Sequence, residues 1–232
     1  MKKIPLRENI FESFYNILSK PFSKLFLKTK FTPNNITIIS GIFGIFACYF
    51  ITLNSNETRI VAFLFIQLFA LLDLVDGDIA RNRGLTSNFG HWLDIFFDKL
   101  VEVLLIAAFV YASFQKSDNV LSLLLGGGII TFHLLIQYLM IINQLHFQKS
   151  KKNTSTKILN DSGSNKKITT KIIIDLIRFV ELHLTLKHST LLFLLSIFVL
   201  LNHHLTGLYV LMFMSFYTLS FMCFYNFFLI KD

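Results

Sequence analysis

Two cysteines in 232 residues cannot build a disulfide framework, and both Cys48 and Cys223 lie inside apolar runs. They read as small buried hydrophobes, not as a covalent or metal-binding pair. Proline is nearly as scarce: Pro5, Pro21 and Pro33 are all there is, and none interrupts a long apolar run. The apolar segments therefore lack the broken helices typical of ion-coupled transporters. Charged residues make up only 16% of the chain, which leaves no room for a large soluble domain beside the apolar segments. The N-terminus shows no small-residue cleavage pattern, so no removable signal peptide is expected.

What is abundant is apolar. Hydrophobic residues form 53% of the chain and aromatics 15%, with 27 phenylalanines, and the mean hydropathy is +0.59. This composition predicts an all-α, polytopic membrane protein. Six transmembrane helices are expected, at about 35–54, 59–80, 90–113, 119–145, 175–201 and 206–229, within a membrane domain spanning 32–230. Residues 1–31 precede it. There Ile10, Phe14, Ile17 and Leu18 share a helical stripe, and Lys20, Lys24, Lys28 and Lys30 lie among apolar residues. This predicts an amphipathic helix on an anionic membrane surface, broken near Pro21. Residues 148–171 are rich in Lys, Ser, Thr and Asn and read as a flexible loop. Gly126, Gly127 and Gly128 suggest a close helix approach, at a subunit interface or in ordinary packing.

The net charge of +8 is confined to particular loops: the N-terminus, residues 81–83 and residues 148–171. Aromatic residues lie in the apolar spans instead, so nucleic acid is not the expected partner. The positive-inside rule puts both termini on the cytoplasmic side of a cell or inner membrane.

Five acids break the apolar pattern between residues 73 and 98. Asp73 and Asp76 are three apart, and Asp94 and Asp98 are four apart, so each pair shares a helix face. A short polar segment, RNRGLTSN, joins them, which predicts antiparallel helices with the pairs facing across the seam. Asp78 points off that face and is expected to meet solvent or cap a helix end. Four carboxylates in one place need a cation, and oxygen donors suit Mg²⁺, Mn²⁺ or Ca²⁺ over zinc. Gly77, Ala80 and Gly90 leave room for a flat ligand, and Arg81 can reach a phosphate. Acids at membrane depth also bind transported cations, so a cation-coupled transporter is the alternative from another class.

The stretch reads D-x2-D-G-x2-A-R-x8-G-x3-D-x3-D at Asp73, Asp76, Gly77, Ala80, Arg81, Gly90, Asp94 and Asp98. It resembles the signature of the CDP-alcohol phosphotransferases, integral membrane enzymes of phospholipid synthesis. Pro33, Asn34 and Thr37 match a P-N-x-x-T sequence often found ahead of it in that family. The resemblance covers the N-terminal half; the C-terminal half matches only in hydropathy.

That likeness implies transfer of a substituted phosphate from a CDP-linked donor, usually CDP-diacylglycerol, to a small alcohol or phospho-alcohol, with release of CMP. It implies Asp73, Asp76, Asp94 and Asp98 as ligands of two Mg²⁺ or Mn²⁺ ions, and Asp98 as general base on the acceptor hydroxyl. By the same analogy Asn34, Thr37, Asp73, Gly77, Ala80, Arg81 and Gly90 bind the CDP moiety. The charge pattern also puts the acid cluster, and so the active site, at the cytoplasmic end of the membrane; a homodimer is a further expectation from the resemblance. Arg178, Lys166 and Lys167 are candidates, from position alone, for a phosphorylated acceptor. The glycerol-phosphate branch often carries G-K-x-K-T after the fourth span, and this chain departs from it with NKKIT at 165–169. His133 and Gln137, four apart in the fourth span, either line the acceptor side or bond between helices.

Overall fold

The computed structural model describes residues 10–154 and 186–229, with side chains placed through 143 and from 186 to 224. Within them the chain is helical: α1 (Ile10–Phe26), α2 (Pro33–Leu53), α3 (Asn56–Arg83), α4 (Asn88–Ser117), α5 (Leu121–Thr154), α6 (His188–Leu200) and α7 (His204–Leu229). No strand occurs among the described residues.

Local chemistry sets most helix ends. Thr32 caps α2, accepting the Asn35 N–H with Pro33 in the first turn, as its sequence predicts. Ser55 and Thr58 form a reciprocal capping box at the start of α3. Gly84 ends α3 at φ 64°, a left-handed conformation that glycine adopts without a Cβ clash. The loop to α4 is then only residues 84–87, because Arg81–Arg83 continue the helix. Ser87 caps α4 by accepting the Gly90 N–H at 3.0 Å. Helix α5 runs to Thr154, past the expected start of a loop at 148, and its sequence has no Pro or Gly there to stop it. The remainder of that loop and the first part of the span expected at 175–201 lie outside the described residues, as do Arg178, Lys166 and Lys167.

Four helical segments are long and apolar enough to cross a bilayer: Pro33–Leu53, Asn56–Arg83, Leu121–Asn143 and His204–Phe224. The apolar α6 is shorter, at 13 residues. Many large apolar side chains face outward, among them Ile42, Ile45, Phe46, Leu124, Tyr138 and Phe213. Lipid is the solvent that suits such a surface.

Helix α2 packs closely on both α3 and α4, with α1 against α3, α5 against α7 and α4, and α6 against α3 and, more lightly, α7, α1 and α4. Two glycines seat α4 on α2. A Cβ at Gly41 would come within 2.2 Å of the Phe97 ring, and one at Gly44 within 2.4 Å of Val101. Small residues at this spacing let two membrane helices approach closely. The later glycines divide: Gly126 faces Val110 of α4, Gly128 faces Met212 of α7, and Gly127 meets nothing within 4 Å. Two of the three thus pack within the chain.

Pro21 does not break α1, which continues through it with the proline on the exposed side. The buried stripe of α1 is Tyr15, Ser19 and Ser23, while Ile10, Phe14 and Ile17 point outward. Tyr15 donates to Gln67 Oε1 at 2.7 Å, and Gln67 Nε2 donates to Ser196 Oγ at 2.7 Å. This relay ties α1, α3 and α6 through hydrogen bonds and leaves the apolar face of α1 for lipid.

Candidate active site

The end of α3, the start of α4 and the first turn of α2 meet at one end of the bundle. There the acid pairs come together. A carboxylate oxygen of Asp73 lies within 4.8 Å of one of Asp98, and Asp76 and Asp94 line the adjoining cavity. Asp76 is 4% exposed, and the Thr37 hydroxyl hydrogen-bonds it while also lying 3.1 Å from the Pro33 carbonyl.

The acids sit between two cavities. The smaller, about 170 Å³, is lined by Asn34, Thr37, Asp76, Gly77, Ala80, Arg81, Gly90, His91 and Asp94, together with the α3–α4 loop. The N-termini of α2 and α4 both open toward it, a setting that favours anionic groups. Gly90 is held to glycine by neighbours: a Cβ there would lie 2.9 Å from Asn34 Oδ1 and 3.1 Å from Ser87 Oγ. Arg81 pairs with Asp78 at 2.7 Å and its side chain is 67% exposed.

The larger cavity, about 620 Å³, reaches Asp73 and Asp98 from the other side. Its polar lining includes Glu12, Lys99, Gln137, Asn143, Lys187 and His188, and its apolar wall includes Met140, Phe221 and Met222. Six helices or their flanks contribute. The sequence-predicted residues therefore fall into two groups: Asp73 and Asp98 open to the larger space, and the other signature positions open to the smaller.

Several side chains stand elsewhere than the sequence suggests. Asp78 accepts from Ser23 Oγ at 3.0 Å and so links α1 to α3 instead of facing solvent alone. Arg83, a topology charge by sequence, donates to the carbonyls of Phe26, Leu27, Thr29 and Phe31 and fixes the α1–α2 turn. His133 and Gln137 separate: His133 bonds between helices, to Glu102 at 2.9 Å, and Gln137 lines the larger cavity.

Glu102 and His188 escape the sequence reading. Glu102 is fully buried and meets Lys99 at 2.8 Å, His133 at 2.9 Å and His188 at 2.6 Å. The one signal was its register, four residues beyond Asp98 on the acid face of α4. Nothing local marks His188, which is 86 residues from Glu102 in the chain.

The donor set suits a divalent cation. Among the described residues no lysine, arginine or histidine forms an ion pair with Asp73, Asp76, Asp94 or Asp98. Four hard oxygen donors without a counter-charge, beside a buried and unpartnered His188 Nε2, are chemistry that a metal satisfies.

These features define a helical membrane protein with an acidic centre between a polar cradle and a wider cavity. The profile of the CDP-alcohol phosphatidyltransferase family matches residues 30–224, most of the chain, and the protein belongs to that family. The match extends through the C-terminal half, where the sequence pattern offered only hydropathy. It lends no support to a transporter.

Among curated proteins, it is similar to a phosphatidylinositol phosphate synthase of Corynebacterium glutamicum, 32% identical over 41% of this chain and 42% of the relative. An archaetidylinositol phosphate synthase of Pyrococcus horikoshii is 29% identical over 44% of this chain and 52% of the relative. A bifunctional IPC transferase and DIPP synthase of Aquifex aeolicus is 31% identical over 36% of this chain and 18% of the relative. The aligned segments thus span about half or less of these relatives' lengths.

Proposed function

We propose that this protein is a membrane transferase that moves a substituted phosphate, chiefly a phosphatidyl group, from a CDP-linked donor to an alcohol and releases CMP. The carrying observation is that all eight signature residues converge between two cavities, with the acids at the boundary. The family match supports the same reaction class.

In this reading CDP occupies the smaller cradle. Asn34 and Thr37 from α2, Gly77, Ala80 and Arg81 from α3, and Gly90 from α4 shape its walls. Asp73, closing the far side, contributes to the same donor. The helix N-termini favour the pyrophosphate, and Arg81 exchanges Asp78 for a phosphate oxygen. Asp73, Asp76, Asp94 and Asp98 hold divalent metal, Mg²⁺ or Mn²⁺, with two ions fitting four carboxylates. Bound there, the metal neutralises developing charge on the phosphates. Asp98 faces the larger cavity and takes the proton from the acceptor hydroxyl. That hydroxyl attacks the phosphorus, the bond to the CMP oxygen breaks, and CMP leaves through the cradle.

The acceptor enters the larger cavity. Two relatives are named as inositol phosphate lipid synthases, which makes a phosphorylated polyol the first acceptor to test. Lys99 and Lys187 line that cavity and suit its phosphate. Arg178, Lys166 and Lys167 are further candidates by position. The acyl chains of CDP-diacylglycerol lie against the outward apolar surface.

The proposal includes six crossings, α2 to α7; α6 among them begins at His188, after the extended Lys187, and not near 175 as the sequence suggests. It also includes α1 lying at the inner interface, both termini and the acid centre in the cytoplasm, and a homodimer. Lys20 and Lys24 on the exposed side of α1, with the exposed Lys28 in the turn after it, support that orientation.

The test is purified protein in detergent with CDP-diacylglycerol, Mg²⁺ or Mn²⁺, and a panel of alcohols and alcohol phosphates. CMP release and a new lipid by mass are expected. No CMP with any donor, acceptor or metal overturns the reading.

A further inference from the structure

We infer that His188 is a nitrogen ligand at the aspartate centre, aimed by Glu102, and that it tilts the site toward Mn²⁺ over Mg²⁺. The inference rests on the reading that the aspartates hold divalent metal, and it adds a donor that the acidic signature does not contain.

Three observations carry it. First, donor atoms of Asp73, Asp98 and His188 all lie within 4.8 Å of one another. Second, His188 Nδ1 is 2.6 Å from Glu102 Oε1. An ionised carboxylate only accepts, so Nδ1 carries the proton and the lone pair falls on Nε2. Third, Nε2 is buried and has no partner. Metal-bound histidines characteristically give their other N–H to a carboxylate in this way.

The support behind His188 is rigid. Glu102 is held on its second oxygen by Lys99 at 2.8 Å and His133 at 2.9 Å. Phe69 packs edge-on to the His188 ring at 5.9 Å. The ring is therefore fixed by α3, α4 and, through His133, α5. Four elements thus converge on the ring that stands beside the two carboxylates.

Imidazole changes what the site prefers. Mg²⁺ favours oxygen ligands alone, whereas Mn²⁺ binds nitrogen donors more readily. An acidic centre with one imidazole should bind Mn²⁺ more tightly than Mg²⁺, by a margin that depends on residue 188.

The test is pulsed electron paramagnetic resonance on the full-length, Mn²⁺-loaded protein in detergent. Modulation from a directly bound ¹⁴N is expected, and it should change when the protein is grown with ¹⁵N-histidine. His188→Gln should remove it, retain Mn²⁺ binding, and reduce the Mn²⁺-over-Mg²⁺ preference about 10-fold. Glu102→Gln should weaken Mn²⁺ binding about 10-fold. His91 lines the smaller cavity near Asp94, so His91→Gln is the control and should leave the signal intact.

The isotope experiment needs no variant and stands even if His188→Gln fails to fold. Mn²⁺ that binds, is lost in Asp98→Asn and shows no bound nitrogen overturns the His188 ligand while leaving the transferase reading intact. Nitrogen modulation lost in His91→Gln but kept in His188→Gln overturns it equally. No metal binding under any condition removes both.

Discussion

The two cavities that meet at the aspartates are built in opposite ways. The smaller one comes from residues 33–94, nearly one continuous stretch, and relies on helix ends, small residues and short side chains. The larger one draws on both ends of the described chain, from Glu12 to Met222, and relies on long side chains converging from many helices. A site made of local backbone geometry is written into spacing. One made of side chains from distant segments is written into packing. The difference suits the proposed chemistry, in which one donor headgroup is common to a family and the acceptor varies.

Removing the group that sits where the cavities meet should have the largest effect. Asp98→Asn is expected to lower CMP release about 10²- to 10⁴-fold with donor affinity largely kept, measured by steady-state kinetics and by binding of a CDP analogue. Equal loss of binding would mean that Asp98 belongs to the smaller cavity after all.

Next is the buried hub behind Lys99 and His188 of the larger cavity. Glu102→Leu strands Lys99, His133 and His188, and should lower stability by about 3 kcal/mol, read as a fall in detergent melting temperature. An unchanged melting point would show that these polar groups are satisfied without it.

The seat of α4 on α2 concerns the smaller cavity. Gly41→Leu inserts a side chain where even a Cβ meets the Phe97 ring at 2.2 Å. About 1–3 kcal/mol of destabilisation is expected, with weaker CDP binding as α4 moves away from Asn34. Calorimetric melting and analogue titration report the two parts separately.

Gly90→Ala is milder and more local, because its Cβ would press on the Asn34 side chain at 2.9 Å. The KM for the CDP donor should rise several-fold, with little change for the acceptor. Smallest is Lys187→Gln, at the rim of the larger cavity. It should raise the KM of a phosphorylated acceptor a few-fold and leave the donor KM alone. The reverse pattern in either variant would break the assignment of one cavity to each substrate.

The legible parts were those with a local cause. Thr32 and Pro33 announced a helix start, and the aspartate spacings announced two faces that meet. Less legible was the direction of α1. Its apolar stripe is plain in sequence and faces outward, but nothing local marks Tyr15, Ser19 and Ser23 as the residues that pack inward. Pro21 signalled a break, yet a proline on the exposed side of α1 leaves the helix intact. Gly41 and Gly44 carried no mark of their importance until Phe97 and Val101 were seen against them.

Sequence alone determined the helical membrane character and the spacing of the acid pairs, since each depends on composition or on a period of a few residues. Only the tertiary structure decided that Asp73 and Asp98 face a different space from Asp76 and Asp94, and that His188 stands beside them on Glu102. The physical reason is that a contact across 86 residues depends on how three helices pack, and no local periodicity encodes it.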